Sequence, residues 1–245
     1  MSVGNRLAVD RFITVRKLLT ARVNGLVLGG FLLLLGYLWV VDSFRVSFGA
    51  FLYLGPFLFL FLSQDMVYDE VHSGCLENLL FIGGRFRNYL LFKNAIVAAS
   101  GLGISLLFFS GFAAYGLATG QFEARDLGRF AAGILVGGYY VAAAGFLGFF
   151  FRAGSNVLIF LLGQVLLFVG LLLTASQRMG LAERLTAASF PGIGAKLEFL
   201  AVSSVLPNII VARRTWFSIL GLGAMTVVFL GLQAWRIRAL ELRMR

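Results

Sequence analysis

Residues 69–81, DEVHSGCLENLLF, hold the only histidine, the only cysteine and three of the eleven acidic residues of this 245-residue chain. Imidazole, thiol and carboxylates this close together are the groups of acid–base, nucleophilic and metal chemistry. The surrounding sequence does not complete any of these. A single histidine, His72, cannot build a zinc site of the usual two-His type, and neither Gly-x-Ser-x-Gly nor His-Glu-x-x-His occurs. Cys75 stands beside Glu77 rather than beside a cation that would favour a thiolate, and reads as a small packing residue. Gly192-x-Gly194-Ala195-Lys196 misses the Gly-x-x-x-x-Gly-Lys-Ser/Thr spacing that cradles phosphates. The chain is therefore not expected to be an enzyme, nor to bind a cofactor or metal itself. The polar stretch reads instead as a surface between two long apolar runs.

Those runs set the class. With 60% hydrophobic, 15% aromatic and 13% charged residues, the chain carries more apolar side chain than a soluble core of its size encloses. An all-α integral membrane fold follows. The formal charge of +10 is not read as a nucleic-acid surface, because the Lys and Arg flank apolar runs and form no basic stripe interleaved with aromatics. Lone Cys75 excludes an internal disulfide framework. The first apolar run ends at Trp39, Val40, Val41 and Asp42 without a small-x-small cleavage pattern, so it is expected to be a retained span.

Crossing about 30 Å of hydrocarbon takes about 20 helical residues. Six stretches meet that need: 23–41, 46–67, 95–119, 130–151, 157–176 and 215–235. Pro56 should kink the second, since it leaves a carbonyl without its helical donor. The side assigned to both termini carries thirteen Lys and Arg: Arg6, Arg11, Arg16, Lys17, Arg22, Arg85, Arg87, Lys93, Arg152, Arg236, Arg238, Arg243 and Arg245. The opposite side carries eight: Arg45, Arg125, Arg129, Arg178, Arg184, Lys196, Arg213 and Arg214. The positive-inside rule then places both termini and the 68–94 segment in the cytoplasm, in a multi-pass protein of the cell (inner) membrane. Within the extracytoplasmic segment 177–214, residues 197–211 are apolar but number only 15 and include Glu198 and Pro207. A re-entrant or interfacial helical hairpin fits them better than a seventh span. Before the first span, Val9, Phe12, Ile13, Leu19 and Val23 share one helical face, the pattern of an amphipathic helix lying in the cytoplasmic leaflet.

Small residues recur at four-residue spacing in Gly25/Gly29, Gly133/Gly137, Gly138/Ala142 and Ala144/Gly148, which lets helices approach closely in lipid. Polar residues within the spans are few, chiefly Gln164, Tyr139 and Tyr140, with no carboxylate to relay protons. Gln164 reads as an interhelical hydrogen bond. The 26 Phe are read as facing acyl chains rather than lining a substrate path.

In the 68–94 segment, Leu76, Leu79, Leu80 and Phe81 give about two turns of helix with an apolar face, Glu77 lies in the first turn, and Gly83-Gly84 ends it. So short a helix needs a partner surface to hold its leucines. Glu70-x-x-x-Gly74-x-Leu76-Glu77-x-Leu79-Leu80, followed by Lys93 before the third span, resembles the cytoplasmic signature of permease subunits of the ABC-2 type of ATP-binding-cassette transporter. The leading amphipathic helix, six spans and hairpin before the last span resemble the same family over nearly the whole chain. Gly83-Gly84-Arg85 and Phe92 depart from its common pattern.

The resemblance implies a coupling helix between spans 2 and 3 that sits in a groove of a separate ATPase. Glu70, Gly74, Glu77, Leu79 and Leu80 would form that contact, with Arg85, Arg87 and Lys93 as anchors at headgroup level. Two ATPase subunits, holding ATP and Mg, would drive this chain and a second permease copy or paralogue as an exporter embedded in membrane lipid. A second reading is an ATPase-linked membrane anchor of a larger cell-envelope or motility machine, without solute transport.

Overall fold

The computed structural model describes residues 22–64, 67, 68, 71, 86–151, 154–176 and 192–243. The expected N-terminal amphipathic helix and residues 177–191 of the segment expected to be extracytoplasmic lie outside the described residues. Among the described residues all regular structure is α-helical: α1 (Arg22–Val41), α2 (Phe44–Leu54), α3 (Phe57–Leu62), α4 (Phe86–Ala118), α5 (Ala124–Leu147), α6 (Ser155–Ser176), α7 (Gly192–Val205), α8 (Ile209–Ala212) and α9 (Trp216–Arg243). Three helices among the described residues are long and apolar enough to cross a membrane, over Tyr89–Ala118, Ala124–Leu147 and Trp216–Leu240. Shorter apolar stretches cover Gly25–Val41, Phe44–Leu54 and Ser155–Gly170.

The expected span 46–67 is two helices. Ser43 caps α2 by accepting from the Val46 N–H at 3.3 Å, so the element starts earlier than its apolar run. It stops at Gly55, whose N–H bonds the Phe51 carbonyl at 2.7 Å, because Pro56 has no N–H to continue the ladder to Leu52. The chain resumes as α3 after that break.

Contacts fix the relative directions. Ser47 Oγ of α2 donates to the Leu35 carbonyl of α1 at 2.7 Å, the two helices folding back across the tight turn at Asp42 and Ser43. Asn94 near the start of α4 bonds Gln233 near the end of α9, and Asn156 near the start of α6 bonds the Ala144 carbonyl near the end of α5. Helices α5 and α9 run the same way, with Tyr139 against Phe229 and Gln233 against Ala142.

Helix α5 is the axis of the bundle, packing most extensively on α9 and then on α3, α4 and α8. Its glycines permit this. The Phe59 ring of α3 is clasped between Gly101 of α4 and Gly137 of α5, where added Cβ atoms would lie 2.6 and 2.5 Å from ring carbons. Gly133 lies against Pro56 and the Leu52 carbonyl, and Gly148 against Val67. By contrast Gly25, Gly29 and Gly138 have open space, so the four-residue spacing marks real contacts at Gly133/Gly137 and at Gly148 but not on α1.

The expectation that Phe faces acyl chains is corrected in part: Phe150, Phe151 and Phe168 are exposed, but many others are not. Phe44, Phe48, Phe51, Phe59, Phe112, Phe149 and Phe199 are buried within the protein. Phe48, Phe51 and Phe112 stack at centroid separations of 5.3 to 6.4 Å, and Phe109 stacks on Phe130 at 4.0 Å. Lipid supplies no hydrophobic push between helices, so ring-to-ring and ring-to-glycine contact provides the cohesion.

Gly137→Ala should lower stability by about 1–3 kcal/mol, since Phe59, already against Gly101 on its other side, cannot move away to admit the methyl. Gly138→Ala, into open space, should be neutral or slightly stabilising. Thermal unfolding of the two variants in detergent micelles checks the difference, and Phe59→Leu should restore much of the loss in Gly137→Ala.

Candidate functional site

Of the residues expected at the ATPase contact, Glu70, Gly74, Glu77, Leu79 and Leu80, and the anchor Arg85, lie outside the described residues, as do His72 and Cys75. Arg87 belongs to the first turn of α4. Lys93 is buried in α4, beside Asn94. What the described residues bring together is a polar junction in the middle of the bundle, where two helix breaks meet.

The first break is Gly55–Pro56. The second lies between α7 and α8, at Leu206, Pro207 and Asn208. A broken helix leaves carbonyls without donors, which is costly in an apolar setting. Asn208, standing in the second break, reaches the first: its Nδ2 donates to the Tyr53 carbonyl at the end of α2 at 2.5 Å. Its Oδ1 accepts from the Tyr140 hydroxyl at 2.6 Å. Gln164 of α6 then donates from Nε2 to the Tyr140 oxygen at 2.8 Å. One step along α5, the Tyr139 hydroxyl donates to the Ser204 carbonyl at 2.6 Å, covering the last turn of α7. Tyr140, Asn208 and Gln164 are all buried.

The 192–212 region thus packs into the bundle. Ile210 and Val211 of α8 are buried, α7 packs on α9 and α6, and α8 packs on α5 and α2. Phe199 meets Phe217 at 5.9 Å, and Lys196 lies 6.0 Å from the Trp216 ring centre. From the level of Tyr140 the chain returns along α5, until the Arg214 guanidinium rests against Gly128. That is twelve residues back, about 18 Å of helix.

Two further polar groups flank the junction. Toward the end of α9, Asn94 Nδ2 donates to Gln233 Oε1 at 2.7 Å and Gln233 Nε2 to the Ala142 carbonyl at 2.5 Å, tying α4, α9 and α5 together. At the start of α5, Arg45 pairs with Glu123 and, at 2.8 Å, with the fully buried Asp126. Arg125 also pairs with Glu123, and Arg129 lies 3.8 Å from Asp126. Asp126 Oδ2 accepts from the Glu123 backbone N–H at 3.0 Å, the reach-back half of a capping box. Arg45, Arg125 and Arg129, expected only to set topology, thus have structural partners, and Glu123-x-x-Asp126 ahead of an apolar run is the sequence signal for them.

Chemically the junction consists of phenols, carboxamides and backbone carbonyls. It can hold two helix breaks or release them by exchanging hydrogen bonds. Among the described residues no three of His, Cys, Asp and Glu gather in one place. No protein-family model, curated protein or solved structure matches the chain.

Asn208→Ala should destabilise the fold more than Tyr139→Phe, because it strips partners from both the Tyr53 carbonyl and the Tyr140 hydroxyl, at about 1–3 kcal/mol for each buried orphan. A double-mutant cycle of Tyr140→Phe with Gln164→Leu should give a coupling of about 0.6–1.7 kcal/mol. Unfolding in micelles measures both.

Proposed function

We propose that this chain is the membrane-spanning permease subunit of an ATP-driven transporter of the ABC-2 type, an exporter moved by separate ATPase subunits. The observation that carries this reading is the Glu70-x-x-x-Gly74-x-Leu76-Glu77-x-Leu79-Leu80 segment. It stands between the broken α2/α3 pair and the long helix α4. In this reading α1, α2 with α3, α4, α5, α6 and α9 form six spans, with both termini on the cytoplasmic side of the inner membrane. The alternating helix directions and the Lys/Arg tally support that arrangement. The return of the chain from Tyr140 to Gly128 supports a re-entrant hairpin. Residues 69–93 are the coupling element, two ATPase chains supply ATP, Mg and the power stroke, and a second permease copy or paralogue completes the assembly.

The mechanical route is short. Force on the coupling element enters the bundle through α3 and α4, which both contact α5. The α2/α3 break is tied through Tyr53 and Asn208 to the hairpin and α5. Hydrogen bonds at a break can exchange partners as the bundle passes between two discrete packings, which a continuous helix resists.

Glu77→Lys or Leu79→Asp should leave the protein inserted but weaken ATPase recruitment by about 1–3 kcal/mol. Co-purification of the ATPase and its turnover in liposomes check this. Unchanged recruitment and unchanged turnover would contradict the assignment. Recruitment without any turnover response to candidate substrates would favour the anchor reading.

A further inference from the structure

A cavity of about 510 Å³ lies between α5, α6, α7 and α9, lined almost wholly by apolar side chains that include Leu147, Phe160, Gly163, Val205 and Phe229. Its size is that of a small-molecule site. It exists because α6 and α9 each pack on α5 and α7, while they are not among the closely packed pairs themselves. Its deep end is the hairpin tip, where Tyr139 holds Ser204. Its rim carries the exposed apolar residues Ile159 and Val228, so it opens sideways into hydrocarbon.

A wall of aromatic rings continues from the cavity toward the end of α9. Phe229 meets Phe146 at 5.8 Å, Phe146 meets Phe150 at 5.3 Å, and the Arg236 guanidinium lies 5.4 Å from the centre of the Phe150 ring. Arg236 is seven residues beyond Phe229, on the same face of α9. Its Nε is buried and has no hydrogen-bond partner among the described residues. From Met225 in the cavity to Arg236 is eleven residues, about 16 Å of helix and about half the hydrocarbon thickness. That is the depth of one leaflet.

We propose that this groove binds an anionic phospholipid from the leaflet at the C-terminal end of α9. One acyl chain fills the cavity up to the hairpin tip, and the phosphate meets Arg236. The charge decides the occupant: a wholly apolar guest would leave the arginine unused, and a soluble anion would have no need of the cavity. The inference requires only that α5 and α9 cross the bilayer, so it stands or falls separately from the transporter reading.

The test uses the full chain in phosphatidylcholine vesicles containing trace spin-labelled phosphatidylglycerol or spin-labelled phosphatidylcholine. The measured quantity is the motionally restricted fraction of each probe. The wild type should favour phosphatidylglycerol by about fivefold, the effect of one arginine near an anionic surface. Arg236→Gln should bring that ratio close to one. Gly163→Phe, which fills the cavity and keeps the charge, should lower the restricted phosphatidylglycerol severalfold; Ile159→Trp at the rim serves the same purpose if the glycine variant does not fold. Equal ratios for wild type and Arg236→Gln would overturn the proposal. Loss of preference in Arg236→Gln with none in either cavity variant would overturn it too, leaving only a surface charge effect.

Discussion

Two broken helices inside an apolar body create an obligation that water cannot meet, and in this protein the Asn208 carboxamide meets it at the Pro56 break while the Tyr139 hydroxyl meets it at the Pro207 break. Asn208 donates to the Tyr53 carbonyl beside the Pro56 break and accepts from Tyr140, while itself standing in the Pro207 break. Each of those groups left alone in a low-dielectric interior costs far more than the bond contributes in water. The positions of α2, α5, α6 and the 192–212 segment are therefore mutually dependent. Moving any one of them requires that its hydrogen bonds be replaced, which is a physical basis for two distinct packings in place of gradual deformation.

The second constraint is steric. Helix α5 presents glycines to Phe59, Pro56 and Val67, so neighbouring elements approach it closely enough for ring edges to lie on its backbone. Dispersion between rings and glycine surfaces holds the bundle in the absence of a hydrophobic driving force between helices. The ion pairs of Arg45 with Glu123 and Asp126 close one end of the same axis. Asn94 and Gln233 close the region near the other.

Helical class and most helix positions were legible in the sequence, because long apolar runs report directly on the solvent they need. The Pro56 break was legible for the same kind of reason: a missing N–H acts locally. Long-range pairing was not. A phenylalanine on an apolar helix carries no mark saying whether lipid or protein faces it. For Phe59 the answer lies in Gly101 and Gly137, dozens of residues away. Tyr139, Tyr140 and Gln164 stood out as rare polar residues within spans, and Gln164 does make the interhelical bond expected of it. Asn208 did not stand out, since an asparagine after proline in a loop is ordinary until a buried carbonyl is seen to need it. The expected coupling residues Glu70, Gly74, Glu77, Leu79 and Leu80 fall outside the described residues.

The coupling role proposed for residues 69–93 requires that they face the compartment where ATP is available to a partner. Cys75, the only cysteine, lies within that segment and is a native reporter of its side. A membrane-impermeant maleimide applied to intact cells should leave Cys75 unmodified, and the same reagent should modify it once the membrane is opened. Full modification in intact cells would place the segment outside, beyond the reach of any cytoplasmic ATPase, and would contradict the account.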